Sequence, residues 1–289
     1  MHDSVVIATG MTKPRLLGIP GEGLLGSFNA AQVVGWYNGD SQYKDITLNL
    51  NCVRRVAIIG HGNVALDIAR IFLKTPNLLE STDISENALR ALRNSKVEEI
   101  DIIGRRGPLQ RPMNRLFTLL KDLSGRSPQV KNPMPSKTWS LQYFLRPQAI
   151  LGRNCVESLE LVKTSLSNGE VKLPEDLKRM PVHDTSQVVR IPYDMIISCL
   201  GFITDQNFGL PSKPSGAVLQ DGGRVTGYPG LYVCGWASVG AVGELASTIQ
   251  NARNLADGII SDFESRTLSL TKNPGELASY FSKNHIKHT

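Results

Sequence analysis

The segment that most constrains the fold is VRRVAIIGHGNVALDIARIFLK at 53–74, where an apolar run passes through a glycine-rich turn into a helical pattern. The run is rich in β-branched residues, which is typical of a buried parallel strand. The apolar residues after the turn recur at helical spacing until Pro76, which predicts a helix that ends there. Between the two, Gly60, Gly62 and Ala65 form the pattern G-x-G-x-x-A. A strand, a tight turn and a helix in this order predict a dinucleotide-binding unit.

The residues of the turn have separate roles in such a unit. Gly60 permits the tight turn, and Gly62 allows the backbone to approach a pyrophosphate. The main-chain N–H groups of Gly62, Asn63 and Val64 face the anion, helped by the dipole of the helix. His61 also lies in the turn, and we expect its main-chain N–H to matter more than its ring. The alternative is a tight strand–helix turn that binds no ligand.

The next predicted strand, at 97–104, ends on two arginines, Arg105 and Arg106. At this place an NAD site usually offers a carboxylate to the ribose hydroxyl groups. Two guanidinium groups instead suit the dianionic 2′-phosphate of NADP(H), although the alternative is a solvated arginine pair. A helix predicted between the two strands explains their wide separation. Asp83 and Glu86 have the spacing of a capping box at its start.

Other apolar segments indicate a second domain of related design. The runs SVVIATG at 4–10 and MIISCLG at 195–201 both end on glycine, and we expect 4–10 to be a buried parallel strand. A strand near 230–235 runs into Gly235 and Trp236, ahead of a helix predicted from about 244 to 265. Trp236 is suited either to stack on a planar ring or to fill a core. The sequence therefore predicts an α/β protein with two dinucleotide-binding, Rossmann-like domains.

Composition and residue patterns exclude several classes of function. The chain of 289 residues carries a net charge of +6, which fits either a mildly basic surface or an acidic partner. Dispersed basic residues and only 6% aromatics make nucleic acid a poor candidate, and no apolar run has the length of a membrane span. None of the four cysteines stands in a CxxC pair, which argues against a dithiol redox site and a zinc site. We assign no catalytic residue and no metal ligand.

Six stretches make the sequence similar to the adrenodoxin reductase family of mitochondrial NADPH:ferredoxin oxidoreductases. The pair GWYNG and GRRGPLQ is the most specific part of the resemblance. The six stretches are IPGE (19–22), VVGWYNG (33–39), GHGNVALDIAR (60–70), STDI (81–84), GRRGPLQ (104–110) and GRVTGYPGLYVCGW (223–236).

The resemblance implies an EC 1.18.1-class oxidoreductase, a flavoprotein of electron transport that binds FAD and NADP(H). It implies an FAD domain made from residues 1–13 and 204–289, with an NADP-binding domain at 14–203 inserted between them. Hydride would pass from NADPH to FAD, and single electrons would then pass to a [2Fe–2S] ferredoxin of the adrenodoxin type. The family also implies the mitochondrial matrix and allows peripheral association with the inner membrane, although the chain shows no transit-peptide pattern.

The resemblance also implies roles for individual residues. The turn residues His61 to Val64, together with Gly60, would hold the NADP pyrophosphate. Arg105 and Arg106 would bind the 2′-phosphate. Gly243 would lie near the nicotinamide.

On the FAD side, Trp236 would lie at the flavin. Gly243, Glu244 and Leu245 would offer main-chain groups to FAD. Arg111, Arg115 and Lys121 would form a basic face for an acidic ferredoxin, with ordinary solvated charges as the alternative.

The sequence departs from the family pattern in three places. The family begins with a strand, a G-x-G-x-x-G turn and a helix for FAD, all ahead of the strand at 4–10. It continues with a longer segment after Gln110, and it has a basic residue and a proline after the tryptophan that corresponds to Trp236. We therefore expect an N-terminally truncated chain with an internal deletion and an incomplete FAD domain. Such a chain should bind FAD poorly and fold poorly outside its NADP domain.

Two alternatives to the reductase follow from the sequence. One is a catalytically incompetent NADP-binding fragment. The other is a related flavoprotein that resembles the glutamate synthase small subunit, against which GWYNG argues.

Overall fold

A computed structural model describes most of the chain. The described residues are 4–107, 137–167, 180–203, 209–213, 216–241 and 245–265. The chain divides into two compact units, a central unit formed by Leu16–Leu200 and a terminal unit formed by Met1–Arg15 with Gly201–Thr289.

The described residues of the central unit form strands β3 (Ser27–Asn29), β4 (Arg55–Ile59), β5 (Glu99–Gly104), β6 (Thr138–Tyr143), β7 (Leu145–Leu151), β8 (Ser158–Leu166), β9 (Val182–Pro192) and β10 (Met195–Ser198). They also form helices α1 (Ala30–Asn38), α2 (Asn63–Leu73) and α3 (Glu86–Arg93), with short 3-10 turns at Ser41–Tyr43 and Pro76–Leu78. Among these strands, β3–β10–β4–β5–β6 form a parallel sheet in that order. The strands β7–β8–β9 form an antiparallel sheet.

The three middle strands of the parallel sheet, β10, β4 and β5, are buried on both faces, as their apolar runs require. Along β4, Val56 and Ile58 pack into a core with the three helices. The alternate residues Ala57 and Ile59 pack into a second core with β7 and β8. The central unit therefore has three layers, and β4 lies in the middle one.

The predicted elements around the glycine turn are confirmed to within two residues at each end. The strand predicted at 53–60 is β4, the one at 97–104 is β5, and the helix between 61 and 74 is α2. The predicted cap of α3 is wrong. The hydroxyl of Ser85, not Asp83, accepts a hydrogen bond from the N–H of Ala88 at 3.3 Å.

A buried polar network joins the amino ends of the central strands. Asp101 in β5 is 1% exposed and accepts hydrogen bonds from the hydroxyl of Tyr193 at 2.7 Å and from Arg55 Nη2 at 2.9 Å. The hydroxyl of Ser140 in β6 donates to the other carboxylate oxygen. Arg55 also bonds Glu99 at 3.0 Å and lies 5.0 Å above the ring of Tyr193. Burial and the hydrogen bond to Asp101 raise the pKa of Tyr193.

The terminal unit contains a four-stranded sheet in the order β1–β14–β13–β12 and a two-stranded antiparallel sheet of β2 and β11. A small apolar core forms around Val218, Val225 and Val233. The elements are β1 (Val5–Ile7), β2 (Lys13–Pro14), β11 (Phe202–Ile203), β12 (Gln220–Asp221), β13 (Arg224–Val225), β14 (Leu231–Val233), α4 (Trp236–Val239) and α5 (Leu245–Glu264).

The strand predicted at 4–10 is only partly as expected. β1 does pair in parallel with β14. It is not buried, because Val6 is 44% exposed and Val5 and Ile7 are half-buried. Among the described residues, β1 has a strand neighbour on one side only.

Candidate functional site

The carboxyl ends of β4 and β10 lie side by side at the point where the chain changes direction across the sheet. From β4 the chain continues through α2 and α3 to β5 on one side, whereas β10 and β3 lie on the other side. In open parallel sheets, ligands bind in the crevice outside the carboxyl ends of strands at such a switch point. The glycine turn follows β4, and Cys199 follows β10, so both segments lie at this crevice.

Gly60 occupies a position that only glycine fits. Its φ angle is +123°, and a Cβ built on it would lie 2.5 Å from the carbonyl oxygen of Cys199. Its N–H donates to the carbonyl of Ile103 at 2.7 Å, which ties the turn to the end of β5. The close approach of β4 and β10 at this point therefore depends on the missing side chain.

The N-terminus of α2 is open to a ligand. Gly62 is the N-cap residue, with extended backbone, and no side chain of the described residues caps the helix. A Cβ on Gly62 would find no atom within 4 Å in the described structure. Ala65, in the first turns of the helix, is fully buried. The main-chain N–H groups of the first helical turn, including those of Asn63 and Val64, therefore face open space in the described structure and are available to an anion.

The ring of His61 is held against β5 and β6. Its Nε2 lies 3.0 Å from the carbonyl oxygen of Ile102, and because a carbonyl only accepts, Nε2 carries the proton. The ring meets Tyr143 edge-on at 4.8 Å between centroids. A Cβ on Gly104 would lie 2.6 Å from Nδ1, so the ring covers that glycine. The structure gives the ring a packing role beside the turn.

The two arginines lie at the carboxyl end of β5, on the same edge of the sheet as the glycine turn. Arg105 is exposed, and Arg106 is half-buried. The Nε of Arg106 is buried and has no hydrogen-bond partner among the described residues. A buried cationic donor without a partner is costly in a protein, and an anion at this edge would satisfy it.

In the terminal unit, Trp236 begins α4 directly after a glycine whose backbone conformation other residues rarely adopt. Gly235 has a φ angle of +61°, and its N–H donates to the side-chain oxygen of Asn251 at 2.7 Å. Trp236 is half-buried, and its ring lies 6.2 Å from that of Phe202, tilted by 32°. The sequence reasoning did not single out Phe202, although it directly follows the glycine at the end of MIISCLG.

The described residues contain no group of three or more His, Cys, Asp or Glu that could hold a metal ion. Burial raises the pKa of the Cys199 thiol to about 12, so this thiol stays protonated and unreactive at neutral pH. None of the helices in the described part of the chain has the length and apolar character needed to cross a membrane.

The chain is similar in sequence and in structure to known proteins. No family model matches the chain. It is 32% identical over 324 residues to "NADPH:adrenodoxin oxidoreductase, mitochondrial" of Mus musculus, covering 96% of this chain and 64% of that protein. It is 31% identical over 296 residues to "NADPH-ferredoxin reductase FprA" of Mycobacterium tuberculosis, covering 90% of this chain and 63% of that protein. The solved structure of the same mycobacterial FprA in complex with NADPH matches with a TM-score of 0.78 at 27% identity, covering 98% of this chain and 70% of the other.

The chain is homologous to these NADPH-dependent reductases. The resemblance predicted from the sequence is therefore confirmed, and so is the α/β fold class. The chain spans about 64% of the length of the mouse protein. The relatives include both mitochondrial proteins, such as that of Bos taurus, and mycobacterial proteins.

The structure brings part of the predicted reductase site together. Gly60 to Val64 and the two arginines share one edge of the central sheet. Trp236 lies in the terminal unit, where Leu245 begins α5. Five of the predicted residues lie outside the described residues: Gly243, Glu244, Arg111, Arg115 and Lys121.

Proposed function

We propose that the chain binds NADPH as part of a flavoprotein reductase that passes electrons through FAD to a [2Fe–2S] ferredoxin. The single observation that carries the proposal is the joint placement of an uncapped helix N-terminus and an arginine pair at one edge of the central sheet. The fold agrees with that of an FprA structure that contains NADPH. The names of the relatives support the ferredoxin as acceptor.

The central unit supplies the groups that NADPH needs. The N–H groups at Gly62, Asn63 and Val64 bind the pyrophosphate, and Gly60 and the main chain of His61 shape the turn. Arg105 and Arg106, whose Nε has no hydrogen-bond partner in the described part of the chain, bind the 2′-phosphate by charge-assisted hydrogen bonds. These residues bind and orient the dinucleotide and move no proton themselves.

The terminal unit is the proposed FAD side, with Gly243, Glu244 and Leu245 contributing main-chain groups and Gly243 also lying near the nicotinamide. The half-buried pair of Trp236 and Phe202 offers an aromatic surface suited to a planar ring. When bound, NADPH supplies a hydride and FAD converts the electron pair into single electrons, which is chemistry of the cofactors. The domain bounds proposed from the sequence, 14–203 for NADP, differ slightly from the central unit, Leu16–Leu200.

The ferredoxin would dock on a basic face that includes Arg111, Arg115 and Lys121. The net charge of +6 supports an acidic partner. Charge reversal in Arg111→Glu/Arg115→Glu should raise the KM for ferredoxin at low salt and leave NADPH binding unchanged. An unchanged KM would remove these residues from the docking face. A matrix location remains part of the proposal, supported by the mitochondrial names of the relatives from mouse and cattle.

The test is direct for the purified chain. Flavin content is measured by absorbance, and NADPH-dependent reduction of ferricyanide and of a [2Fe–2S] ferredoxin is then followed. The proposal predicts reduction with NADPH that exceeds reduction with NADH. Stoichiometric bound flavin in the same sample would contradict the expectation, drawn from the sequence, that this chain binds FAD poorly. Binding of NADPH without bound flavin and without reduction would instead identify an NADP-binding protein that lacks reductase activity.

A further inference from the structure

The main chain that carries the two arginines is held from the antiparallel sheet. We call residues 105–107 the arginine turn. The hydroxyl of Thr164 in β8 donates to the carbonyl oxygen of Arg105 at 2.7 Å, and Thr164 is only 7% exposed. This hydrogen bond joins residues 59 apart in the sequence. It fixes the peptide from which the Arg105 side chain extends.

Phe144 holds the other end of the arginine turn. Its carbonyl oxygen accepts a hydrogen bond from the N–H of Thr164 at 2.8 Å. Phe144 has a φ angle of 57°, the one left-handed non-glycine residue among those described. Its ring fills the space where a side chain at Gly107 would lie, since a Cβ there would be 2.5 Å from Cζ. The surroundings therefore over-determine the position of the turn.

A carboxylate lies on the strand opposite Thr164. Asp184 in β9 is the cross-strand partner of Thr164, so the two side chains share one face of the antiparallel sheet. Arg146 in β7 binds this carboxylate with two groups, Nε to Oδ1 at 2.9 Å and Nη2 to Oδ2 at 2.6 Å.

Several charges act on Asp184. The hydrogen bond from Arg146 is the main cause that lowers the pKa of Asp184, and the charges of Arg105 and His183 act in the same direction. Asp184 is thus a negative charge within electrostatic reach of Arg105. Because Arg146 bonds both carboxylate oxygens, it offsets the charge of Asp184 and weakens the attraction of Asp184 for the guanidinium of Arg105.

We propose that Thr164 and Arg146 are positioning residues that set the preference of this site for a 2′-phosphorylated dinucleotide. Thr164 fixes the main chain of the arginine turn, and Arg146 neutralises Asp184, which otherwise competes with the 2′-phosphate for Arg105. The inference rests on the proposed function, because it assumes that the arginine turn binds that phosphate. It extends the selectivity site from the edge of the parallel sheet to β7, β8 and β9.

The first test replaces the Thr164 hydroxyl by a methyl group. Titrations of Thr164→Val with NADPH, NADH, 2′,5′-ADP and 5′-ADP should show affinity for the 2′-phosphorylated ligands reduced roughly threefold to tenfold. Affinity for NADH and 5′-ADP should stay unchanged. Thr164→Ser keeps the hydroxyl and should bind like the original protein. The matched control is Thr138→Val, since Thr138 also bonds a carbonyl, that of Glu98 at 3.5 Å, at the opposite end of the sheet.

The second test uses the charge pair. Arg146→Met should weaken NADPH binding about twofold to fivefold at low salt, because Asp184 becomes free to pair with Arg105. Asp184→Asn in the same chain should restore the affinity. An Arg146→Met protein with unchanged preference, or a double variant without recovery, would overturn the role of Arg146.

The outcomes separate this inference from the proposed function. If Arg105→Ala/Arg106→Ala leaves the preference for NADPH intact, the proposed phosphate site itself is wrong. If that double variant loses the preference while Thr164→Val keeps it, only the role of Thr164 is wrong. Thermal unfolding of each variant shows whether it is folded. If Thr164→Val is not folded, the nucleotide preferences of Thr164→Ser and Arg146→Met decide whether the inference holds.

Discussion

The two ends of the central parallel sheet are organised in opposite ways. At the amino end, the buried carboxylate of Asp101 accepts hydrogen bonds from Tyr193, Arg55 and Ser140. The buried Arg55 Nε makes no hydrogen bond among the described residues, but it lies 3.0 Å from a carboxylate oxygen of Glu99. At the carboxyl end, the first turn of α2 has no side-chain cap among the described residues, and Arg106 Nε has no partner there. Polar groups that satisfy one another stabilise a fold, whereas preorganised groups left without partners are suited to bind a ligand. The amino end therefore stabilises the fold, and the carboxyl end carries the proposed nucleotide site.

The largest expected effect is at the amino end. Asp101→Ala leaves Arg55 and the Tyr193 hydroxyl without their shared acceptor, which should lower the free energy of unfolding by about 3 kcal/mol or more. Denaturant titration measures the loss. Glu98→Ala is the control, because Glu98 is exposed and its ion pair with Arg54 is long, at 4.0 Å. This variant should change the free energy of unfolding by about 0.5 kcal/mol at most. An equal, small effect of both variants would contradict the structural role of the network.

The next largest effect is expected for Gly60→Ala, which should weaken both the stability of the fold and the binding of nucleotide. The added methyl group overlaps the Cys199 carbonyl, and the φ angle of +123° is strained for alanine. We expect a loss of about 2 kcal/mol in stability together with weaker nucleotide binding. Unfolding curves and NADPH titration on the same sample check this. Unchanged stability would mean that β4 and β10 do not approach as closely as described.

Gly62→Ala should weaken nucleotide binding without lowering the stability of the fold. The added methyl group meets no atom of the described protein, and the φ angle of −80° suits alanine, so stability should be retained. The methyl group would enter the space of the pyrophosphate, and binding of NADPH and NADH should weaken alike by about tenfold. Isothermal titration measures both ligands. Full binding by Gly62→Ala would show that no pyrophosphate lies at this helix N-terminus.

The smallest effect concerns pH. The pKa of Tyr193 is raised above its ordinary value of 10.0 in the folded protein. Its contribution to stability is therefore complete below pH 10.0 and is lost as the pH rises through the higher folded-state pKa. Between about pH 8 and about pH 11, the unfolding free energy should fall less steeply in Tyr193→Phe than in the original protein. Identical slopes would show that the Tyr193 hydroxyl ionises as freely in the folded state as in the unfolded one.

Local patterns were sufficient to predict the elements at the carboxyl end of the sheet. The glycine spacing and the apolar runs of β4, α2 and β5 are set by contiguous residues, and their order allows few arrangements. The arginine pair follows directly from the end of β5. The amide groups at the carboxyl edge could therefore be placed from the sequence alone.

Contacts between distant segments were not predictable in the same way. Thr164 bonds Arg105 across 59 residues, and Tyr193 bonds Asp101 across 92. Alternation along a strand shows which residues share a face but not which strand lies opposite them. The neighbours of β1 were not predictable either, because an apolar run does not specify which strands lie beside it. Ser85, which caps α3 in place of the predicted Asp83, also donates to the Trp36 carbonyl of α1 at 3.1 Å, another contact between distant segments.

The central claim is that the carboxyl edge of the sheet recognises a 2′-phosphorylated dinucleotide. The most direct measurement compares the Kd of the purified, unaltered chain for NADPH and NADH by equilibrium titration, and repeats both titrations with Arg105→Ala/Arg106→Ala. We expect the unaltered chain to bind NADPH more than about tenfold more tightly than NADH, and the double variant to lose this preference while it still binds NADH. Equal affinities in the unaltered chain, or an equal loss of both ligands in the double variant, would contradict the claim.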